Sequence, residues 1–315
     1  MKEAIARGQS YQLNFTQELS LHTELSGIEL FKLLTKEQNT KYKMYLKSED
    51  MEILSFSPEL FFKSKKRKIV TKPMKGTISK GKNKKETQEW AKFLQNDSKN
   101  RSENVMIVDL LRNDLAHIAK AKSIKVARLF EIESYKSLLQ MTSTIKAKLR
   151  KNVGLLNIFS DLFPCGSITG APKKESMKLI KALEQRKRGV YCGALGVVHK
   201  DKSIFSVGIR SLCKSNDEKA FRYGVGSGLV WDCVCEEEQK ELELKTAFLH
   251  NANVVKNAKD FYLFETMYMQ NGLVLFFKEH LEWLLASARH FNFNSEKIYK
   301  DFSYFRAKKR FFTRL

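Results

Sequence analysis

The stretch VYCGALGVVHKDKSIFSVGIRSLCKSNDEKAFRYGVGSGLVW, residues 190–231, carries the clearest strand pattern in the chain. Three apolar or alternating segments, 190–200, 203–214 and 220–231, are separated by the short polar turns DK and SNDE. Strands joined by such turns are typical of an antiparallel meander. We therefore predict three neighbouring antiparallel strands here, followed by a closing helix over residues 235–252.

Outside this meander, strand patterns and helix patterns occur in groups rather than in regular alternation. Regular alternation would indicate a doubly wound parallel sheet, so the grouping favours an α+β fold. The patterns predict, in order, a strand over 10–19, an amphipathic helix over 27–38, a strand, turn, strand, short helix and strand over 42–73, a helix over 102–120 capped by Ser102, extended chain over 123–149, and a helix, loop and helix over 157–185.

The composition describes a chain that can bury a sizeable core and carries a strongly positive charge. Of 315 residues, 43% are hydrophobic, and lysine plus arginine exceed aspartate plus glutamate by 57 − 35 = 22. The lysines are spread along the chain without a stacking-aromatic or groove-reading motif, which argues against a nucleic-acid binder. The sequence has no apolar run of membrane-spanning length, no signal peptide and no metal-binding cysteine pattern. We expect a cytoplasmic protein with free thiols.

Acidic side chains on two predicted helices are candidates for a metal site. Glu238, Glu241 and Lys245 are spaced i, i+3 and i+7, so they share one face of the closing helix. Glu103 lies near the start of the helix predicted from residue 102. Carboxylates without histidine or cysteine companions suit Mg²⁺ bound together with an anionic substrate. The same spacing also fits ordinary solvated helix faces, and both interpretations stay open at this point.

Two glycine-rich stretches and one arginine indicate places where another group comes close. Residues 166–174, GSITGAPKK, form a turn before a helix N-terminus, where free amides favour an anion such as a carboxylate. Alternate glycines in the predicted strand at 224–228 indicate that something approaches its backbone closely. Arg210 is the one charged residue in the apolar stretch VGIRSL, so it needs an anionic ligand or a structural salt bridge.

Lys75 lies in TKPMKGTISKG, residues 71–81, between a proline and a glycine. A lysine becomes a nucleophile when burial or neighbouring charge lowers its pKa. From these residues alone, a solvated lysine near a turn is the simpler interpretation of Lys75.

Ordered motifs over residues 1–250 resemble the chorismate-utilising enzymes, and within them the aminodeoxychorismate synthase component I family. Their number and their order make the resemblance specific. The motifs are GQSYQLNFT (8–16), SFSPELFF (55–62), KPMKGT (72–77), KNRSENVMIVDLLRNDL (99–115), LFPCGSITGAPK (162–173), RGVYCGALG (188–196), IRSL (209–212), GVGSGLVWD (224–232) and EEEQKELELK (236–245).

The resemblance implies a two-sheet antiparallel β-sandwich wrapped by helices, with an Mg²⁺-chorismate site between the layers. It implies that residues 1–250 form the catalytic domain, and that Glu103 and Glu241 hold Mg²⁺ with support from Glu238. The residues that it implies for chorismate binding are Thr77, Gln140, Thr169, Gly170, Tyr191, Arg210, Gly226, Ser227, Gly228 and Lys245.

Lys75 separates two activities within the resemblance. Anthranilate synthases carry alanine in the equivalent P-I-A-G-T motif, whereas aminodeoxychorismate synthases carry lysine, as this chain does. The implied reaction begins when Lys75 attacks C2 of chorismate while Glu59, a general acid, helps the 4-hydroxyl to leave. Ammonia, made from glutamine by a partner amidotransferase subunit (component II), then attacks C4 and displaces the lysine. The product, 4-amino-4-deoxychorismate, is an intermediate of para-aminobenzoate and folate synthesis.

The chain departs from its relatives at three places. Gln12 stands where isochorismate and salicylate synthases use a lysine base, so water addition is not expected. Gln140 stands where many relatives have a histidine, and an amide can hydrogen-bond a departing hydroxyl without becoming a cation. Relatives also usually have a further N-terminal segment, whose absence we expect to leave strand edges bare.

Residues 261–293 resemble the start of aminodeoxychorismate lyase, a class IV pyridoxal-phosphate enzyme. Trp283 stands where such enzymes use an arginine for the cofactor phosphate, and no region remains for a Schiff-base lysine. We therefore predict a linker at 251–260, a truncated lyase-like remnant at 261–315, and neither lyase activity nor bound pyridoxal phosphate.

Two alternatives to aminodeoxychorismate synthesis remain open on the sequence. The chain could be an anthranilate synthase component I, because the two families share most of the motifs. It could also be an inactive truncated component that only binds the amidotransferase subunit.

Overall fold

The computed structural model describes residues 2–135, 138–252, 269–270, 273–274 and 277–290. The chain divides into two compact units, Met1–Val255 and Lys256–Leu315. The first unit contains a six-stranded and a seven-stranded antiparallel sheet together with helices, so the predicted α+β class is confirmed.

The helices and strands alternate in groups along the chain, as the sequence patterns predict. The helices are α1 (Lys2–Ala6), α2 (Gly27–Glu37), α3 (Lys84–Asn96), α4 (Ser98–Ala116), α5 (Leu155–Leu162), α6 (Lys173–Glu184), α7 (Cys235–Asn251) and α8 (Phe277–His290). The strands are β1 (Gln12–Leu21), β2 (Tyr42–Lys47), β3 (Met51–Ser57), β4 (Leu60–Lys65), β5 (Lys68–Lys72), β6 (Met74–Ser79), β7 (Lys125–Ser134), β8 (Leu138–Lys148), β9 (Gly170–Ala171), β10 (Ala194–His199), β11 (Lys202–Val207), β12 (Ser211–Ser215), β13 (Phe221–Leu229), β14 (Met269–Gln270) and β15 (Leu273–Val274).

The two large sheets are each assembled from distant parts of the sequence. The six-stranded sheet has the order β2-β3-β12-β13-β1-β9, and the seven-stranded sheet has the order β10-β11-β4-β5-β8-β6, with β7 paired to β8. In the first sheet, β1 pairs with β13 from Leu13 opposite Leu229 to Leu21 opposite Phe221. The first and last strands of the unit are therefore neighbours.

The predicted three-strand meander is four strands, and it contributes to both sheets. The segment 203–214 contains both β11, in the seven-stranded sheet, and β12, in the six-stranded sheet. Arg210 lies between these strands with a φ of 50°, rather than inside one strand as predicted. Alternation of apolar residues reports that a segment is extended, but it carries no information about which sheet the segment joins. This crossing places Arg210 where the two sheets are joined.

Each sheet has a hydrophobic core of its own. One cluster packs Phe62 and Ile145 of the seven-stranded sheet with Leu111 of α4 and Leu162 of α5. A second cluster packs the six-stranded sheet against α2 and α7, through residues such as Phe56 and Phe248, whose ring centroids lie 6.1 Å apart. These two cores hold α4 and α7 in place, and both helices carry predicted site residues.

Two local predictions are wrong. The SPEL motif does not form a short helix, because Pro58 and Glu59 link β3 directly to β4. Helix α4 begins at Ser98, and Asp97 rather than Ser102 is its N-cap, accepting a hydrogen bond from the Asn100 amide at 2.8 Å. The Asp97 cap follows closely on α3, so the sequence pattern starting at residue 102 reports only the later turns of a longer helix.

The second unit is described only in part. Strands β14 and β15 pair antiparallel, and α8 carries Trp283, whose side chain is exposed. Most of the predicted linker at 251–260 and of the predicted lyase-like remnant lies outside the described residues. Among the helices that the structure describes, none is both long and apolar enough to cross a bilayer.

Candidate active site

A cavity of about 750 Å³ in the first unit collects most of the predicted site residues. Strands β6 and β13, helices α4 and α7, and the Pro58-Glu59 link form its walls. The predicted residues that line it are Glu59, Lys75, Thr77, Glu103, Gln140, Tyr191, Arg210, Gly226, Gly228, Glu238, Glu241 and Lys245.

Lys75 is held by a β-bulge rather than by a solvated loop. In the pairing of β6 with β8, Lys75 lies opposite Met141 and Thr77 opposite Gln140, so Gly76 is the extra residue. Gly76 has a φ of 74°, and a Cβ there would lie 2.6 Å from the Asn100 side chain. The Lys75 side chain is 10% exposed, and its ammonium nitrogen lies 3.8 Å from Oε2 of Glu103. A mostly buried ammonium whose ion-pair partner among the described residues is 3.8 Å away is available to an anionic substrate.

The alternate glycines of β13 make room for named side chains, as predicted. A Cβ on Gly224 would lie 2.2 Å from the Tyr191 ring. A Cβ on Gly228 would lie 2.5 Å from Nε2 of Gln12 and 2.8 Å from Nζ of Lys75. The β13 wall is therefore shaped by the absence of side chains, and the Lys75 ammonium lies directly against it.

Glu59 is a buried carboxyl with a raised pKa. Its residue is 3% exposed, and the Ser167 hydroxyl donates a hydrogen bond of 2.7 Å to its Oε1. Burial raises the pKa of Glu59 to about 7, although the hydrogen bond from Ser167, the Lys75 charge and the Met74 amide act in the opposite direction. A carboxyl that holds its proton near neutral pH can act as a general acid.

Five glutamates of α4 and α7 line the cavity, and three of them are the predicted metal ligands Glu103, Glu238 and Glu241. Burial raises the pKa of Glu103, and the neighbouring Glu241 and Glu238 charges add to that rise against Lys75 and Lys99. Burial also disfavours the charged form of Glu241, but the Lys245 ammonium 2.6 Å away outweighs it and lowers the pKa of Glu241. The pKa of Glu103 is therefore raised and the pKa of Glu241 is lowered within the same cavity.

The chemistry of this acidic group fits Mg²⁺, which prefers carboxylate oxygens and retains water ligands. Glu238 accepts a hydrogen bond from Ser227, Glu241 pairs with Lys245, and Glu103 accepts a hydrogen bond of 3.4 Å from Gln12. No three acidic, histidine or cysteine side chains of the described residues converge closely enough to hold a metal ion. Glu103, Glu238 and Glu241 therefore line the same cavity, but in this structure each of them is bonded to another side chain of the protein.

The cationic groups of the cavity suit a substrate with carboxylates. Arg210 is 7% exposed, and burial lowers its pKa. Its guanidinium donates a hydrogen bond of 3.2 Å to Oε1 of Gln38. Among the described residues no carboxylate lies within salt-bridge distance of Arg210, so the structural salt bridge considered from the sequence is not formed. Lys245 donates to the Gly226 carbonyl oxygen at 2.6 Å as well as to Glu241. Tyr191 is buried beside them, and burial raises its pKa.

Two buried glutamines have an acceptor without a partner. Gln140 donates from Nε2 to the Thr77 hydroxyl at 3.1 Å, and its Oε1 has no hydrogen-bond partner among the residues that the structure describes. The Oε1 of Gln12 is also unpaired. Because an unsatisfied buried acceptor costs about 1–3 kcal/mol and Gln140 lines the cavity, its Oε1 is suited to a ligand that donates a hydrogen bond.

Three predicted binding residues do not line the cavity. The Thr169 hydroxyl donates a hydrogen bond of 3.0 Å to the Cys165 carbonyl oxygen. Gly170, in the short strand β9, pairs with Leu13 of β1. The Ser227 hydroxyl is used by Glu238. These residues support the walls from behind rather than meeting the cavity.

Other residues line the cavity that the sequence analysis does not single out. The polar ones include Ser167, Asn14, Lys99 and Asn100, and also Ser79, Glu237, Lys240 and Glu243. Ser167 lies within the GSITGAPKK turn, where its proximity to Thr169 was the only available signal. Lys99 and Asn100 lie on the first turn of α4, whose start was predicted four residues too late, from residue 102 rather than Ser98.

With this geometry in place, comparison with known proteins identifies the class. Residues 1–251 match the model of the chorismate binding enzyme family. Because the match covers most of the chain, this protein belongs to that family.

The relatives that the chain resembles are named for two different activities. The chain is 33% identical over 249 residues to aminodeoxychorismate synthase component 1 of Bacillus subtilis, covering 79% of this chain and 52% of the relative. It is 34% identical over 246 residues to anthranilate synthase component 1 of Archaeoglobus fulgidus, covering 78% and 58%. The crystal structure of anthranilate synthase component I from Streptococcus pneumoniae has a TM-score of 0.71 at 26% identity, covering 78% of this chain and 55% of that one. The chain thus spans about half the length of these relatives.

Proposed function

We propose that this protein converts chorismate and ammonia to 4-amino-4-deoxychorismate, as an aminodeoxychorismate synthase component I. The single observation that carries the proposal is the environment of Lys75. This lysine lies on a bulged strand, almost buried, facing Glu103 and pressed against Gly228 at the wall of the cavity. A solvated lysine needs none of these features, whereas a nucleophile that must reach one ring carbon needs all of them.

The first step uses the Lys75 amine. Nζ of Lys75 releases one proton to solvent and forms a bond to C2 of chorismate, the ring double bonds shift, and the C4–O bond breaks. The departing 4-hydroxyl takes a proton and leaves as water. The proton source in this proposal is Glu59, whose raised pKa keeps it protonated up to about pH 7.

The second step reverses the first with a different nucleophile. Ammonia forms a bond to C4, the double bonds shift back, and the C2–Nζ bond breaks to release Lys75. Ammonia, in becoming the ring amine, gives one proton to the Glu59 carboxylate and so restores the acid, while the released Lys75 amine takes back one proton from solvent. The unpaired Oε1 of Gln140 can accept a hydrogen bond from the incoming ammonia or the leaving hydroxyl.

Substrate binding is assigned to the cationic and glycine-rich parts of the cavity. Arg210 and Lys245 supply the charges for the two carboxylates of chorismate, and Tyr191 and the β13 backbone at Gly226 and Gly228 complete the site. Glu103, Glu238 and Glu241 would hold Mg²⁺, which would require them to come closer together than they lie in this structure and would require Lys245, Gln12 and Ser227 to give up their present hydrogen bonds. Bound Mg²⁺ supplies positive charge that neutralises a substrate carboxylate.

Ammonia would come from a glutamine amidotransferase subunit, as the resemblance to component I enzymes implies. A second candidate function is anthranilate synthesis, favoured by a comparable identity of 34% to an anthranilate synthase component 1. The two candidates differ in their products and in their need for Lys75, so one assay separates them.

The deciding experiment is turnover of chorismate by the chain with Mg²⁺ and ammonium, followed by mass spectrometry of the product. We expect 4-amino-4-deoxychorismate, and we expect Lys75→Ala to reduce its formation by about 10³-fold or more, as for loss of a nucleophile. Lys68→Ala removes an exposed lysine of β5, outside the cavity, and should leave turnover unchanged. Direct formation of anthranilate, or full activity of Lys75→Ala, would refute the proposal.

A further inference from the structure

The Glu59 carboxyl is held by a hydrogen bond from Ser167. Ser167 and Glu59 are both buried, at 7% and 3% exposure, and their hydrogen bond measures 2.7 Å. They are 108 positions apart in sequence, so only the tertiary fold brings them together. The hydroxyl reaches one carboxyl oxygen, Oε1, which restricts the rotation of the whole carboxyl group.

The Ser167 hydroxyl is itself fixed by a stiff turn. Its oxygen lies 3.2 Å from the Cys165 sulfur, and the Thr169 hydroxyl ties the turn together through the Cys165 carbonyl oxygen at 3.0 Å. Arg188 donates to the Ile168 carbonyl oxygen at 2.8 Å from outside the turn. A donor held on both sides loses little rotational freedom when it binds the carboxyl, so the contact is pre-organised.

We propose that Ser167 is a positioning residue, which aims the Glu59 carboxyl at the leaving 4-hydroxyl by holding its other oxygen. The inference rests on the proposed function in that Glu59 is taken as the proton donor. With Oε1 held by Ser167, Oε2 accepts no side-chain hydrogen bond from the described residues, although the Met74 amide lies near the carboxyl, and we assign Oε2 to carry and donate the proton. The turn GSITGAPKK then serves catalysis through its serine hydroxyl, and not through the anion site that its glycines suggest.

The charged and titratable groups around Glu59 come from two directions. Lys75 on β6 favours the ionised carboxyl, and so does the Met74 amide beside it. Cys165, in the turn that carries Ser167, is a neutral thiol because burial raises its pKa to about 12. Removing the Ser167 hydroxyl therefore removes a hydrogen bond that stabilises the carboxylate, and the acid should hold its proton to higher pH.

The test follows the protonation of Glu59 directly. Protein labelled with ¹³C at the glutamate side-chain carboxyls is titrated by NMR, and Glu59→Gln identifies the Glu59 signal. In Ser167→Ala we expect the Glu59 midpoint to rise by about one pH unit, the size of one hydrogen bond to a charged group. Ser167→Thr keeps the hydroxyl and should restore the original midpoint. Ser167→Cys keeps the side-chain size with a weaker donor, and it replaces the alanine variant if that variant does not fold.

Chorismate consumption across the pH range gives the second readout. We expect Ser167→Ala to move the alkaline fall in rate to higher pH and to lower kcat about tenfold, with little change in KM. Ser64→Ala is the matched control, because Ser64 is also buried and hydrogen-bonded, to Ser203 at 2.6 Å, but lies farther along β4. It should change neither the midpoint nor the rate profile.

The outcomes separate this inference from the proposed function. An unchanged Glu59 midpoint in folded Ser167→Ala or Ser167→Cys, with an unchanged rate profile, would overturn the positioning role even if aminodeoxychorismate is made. A shifted midpoint together with anthranilate as product would support Ser167 and refute the proposed product. If the unaltered protein consumes no chorismate, the NMR midpoint alone decides whether Ser167 holds Glu59.

Discussion

The two sheets contribute to the cavity in different ways. On the side of the seven-stranded sheet, Lys75, Thr77 and Gln140 project side chains from β6 and β8, and Glu59 leads into β4. On the side of the six-stranded sheet, β13 presents glycines, and the charged groups come from α7, which packs over it. One wall holds reactive groups in fixed positions, and the other makes space and supplies neutralising charge. A substitution should therefore have different effects on the two walls.

After the loss of Lys75 itself, the largest effect is expected at Glu59, also on the reactive wall. Because the general acid must be protonated, we expect the rate of chorismate conversion to fall as the pH rises through about 7. Glu59→Gln should lower the rate by about 10²-fold or more and remove this dependence. Steady-state rates measured at steps of about half a pH unit between about pH 5 and 9 should show the alkaline fall in the unaltered protein and its absence in Glu59→Gln. An unchanged alkaline limb in Glu59→Gln would assign that limb to another group.

The same carboxyl makes a stability prediction with a definite sign. The folded pKa of Glu59 is raised from 4.5 to about 7, so the fold favours the neutral form. This shift contributes about 3 kcal/mol to the free energy of unfolding. The contribution is fully present below pH 4.5 and is lost as the pH rises through about 7. Urea unfolding at several pH values should show the free energy of unfolding of the unaltered protein falling over this interval relative to that of Glu59→Gln, which cannot ionise.

A smaller loss is expected on the glycine wall, from one added methyl group. In Gly228→Ala the new Cβ would lie 2.8 Å from the Lys75 nitrogen, so the ammonium must move and kcat should fall by about ten- to a hundredfold. In Gly224→Ala the Cβ meets the buried Tyr191 ring, so the free energy of unfolding should fall by about 1–3 kcal/mol. Gly154→Ala is the control, since its nearest neighbour would be 3.7 Å away. Equal effects on kcat and stability at both positions would contradict a specific contact with Lys75.

The smallest effect is expected from the charges that α7 adds to the glycine wall. Glu241→Gln removes one proposed Mg²⁺ ligand and frees Lys245, so the Mg²⁺ concentration for half-maximal activity should rise about tenfold. Glu236→Gln, on an exposed part of α7 that does not meet the cavity, should leave it unchanged. Mg²⁺ titrations of the rate compare the two variants, and identical curves would exclude Glu241 from the metal site.

Much of the fold follows from local pattern, and the errors lie where pairing is long-range. Alternation correctly predicts extended chain over β7 and β8, and helical spacing predicts α2 and α7. The division of 203–214 between two sheets depends on partners in β3 and β4, more than a hundred residues earlier, which no local window contains. The short helix predicted at SPEL fails for the same reason, because the residues that follow Glu59 pair with β11 and β5.

The site shows a similar division. Lys75 and Glu59 belong to short motifs with recognisable spacing, and the cavity contains both. Ser167 has no such signal, because its role depends on a single hydrogen bond to a residue 108 positions away. Thr169 and Gly170, in the same motif, lie behind the wall instead, since the turn directs its side chains in different directions.

The pairing of β1 with β13 has a consequence for how the protein is made. Leu13 lies opposite Leu229, so β1 leaves the ribosome long before its partner exists. Until β13 emerges, the chain carries a strand edge without its partner and a half-built cavity, which are features that chaperones bind and that favour aggregation. Contacts of such sequence separation also slow folding. The cavity is therefore among the last parts of this unit to form during synthesis, and a chain that stops short of β13 can have no binding site.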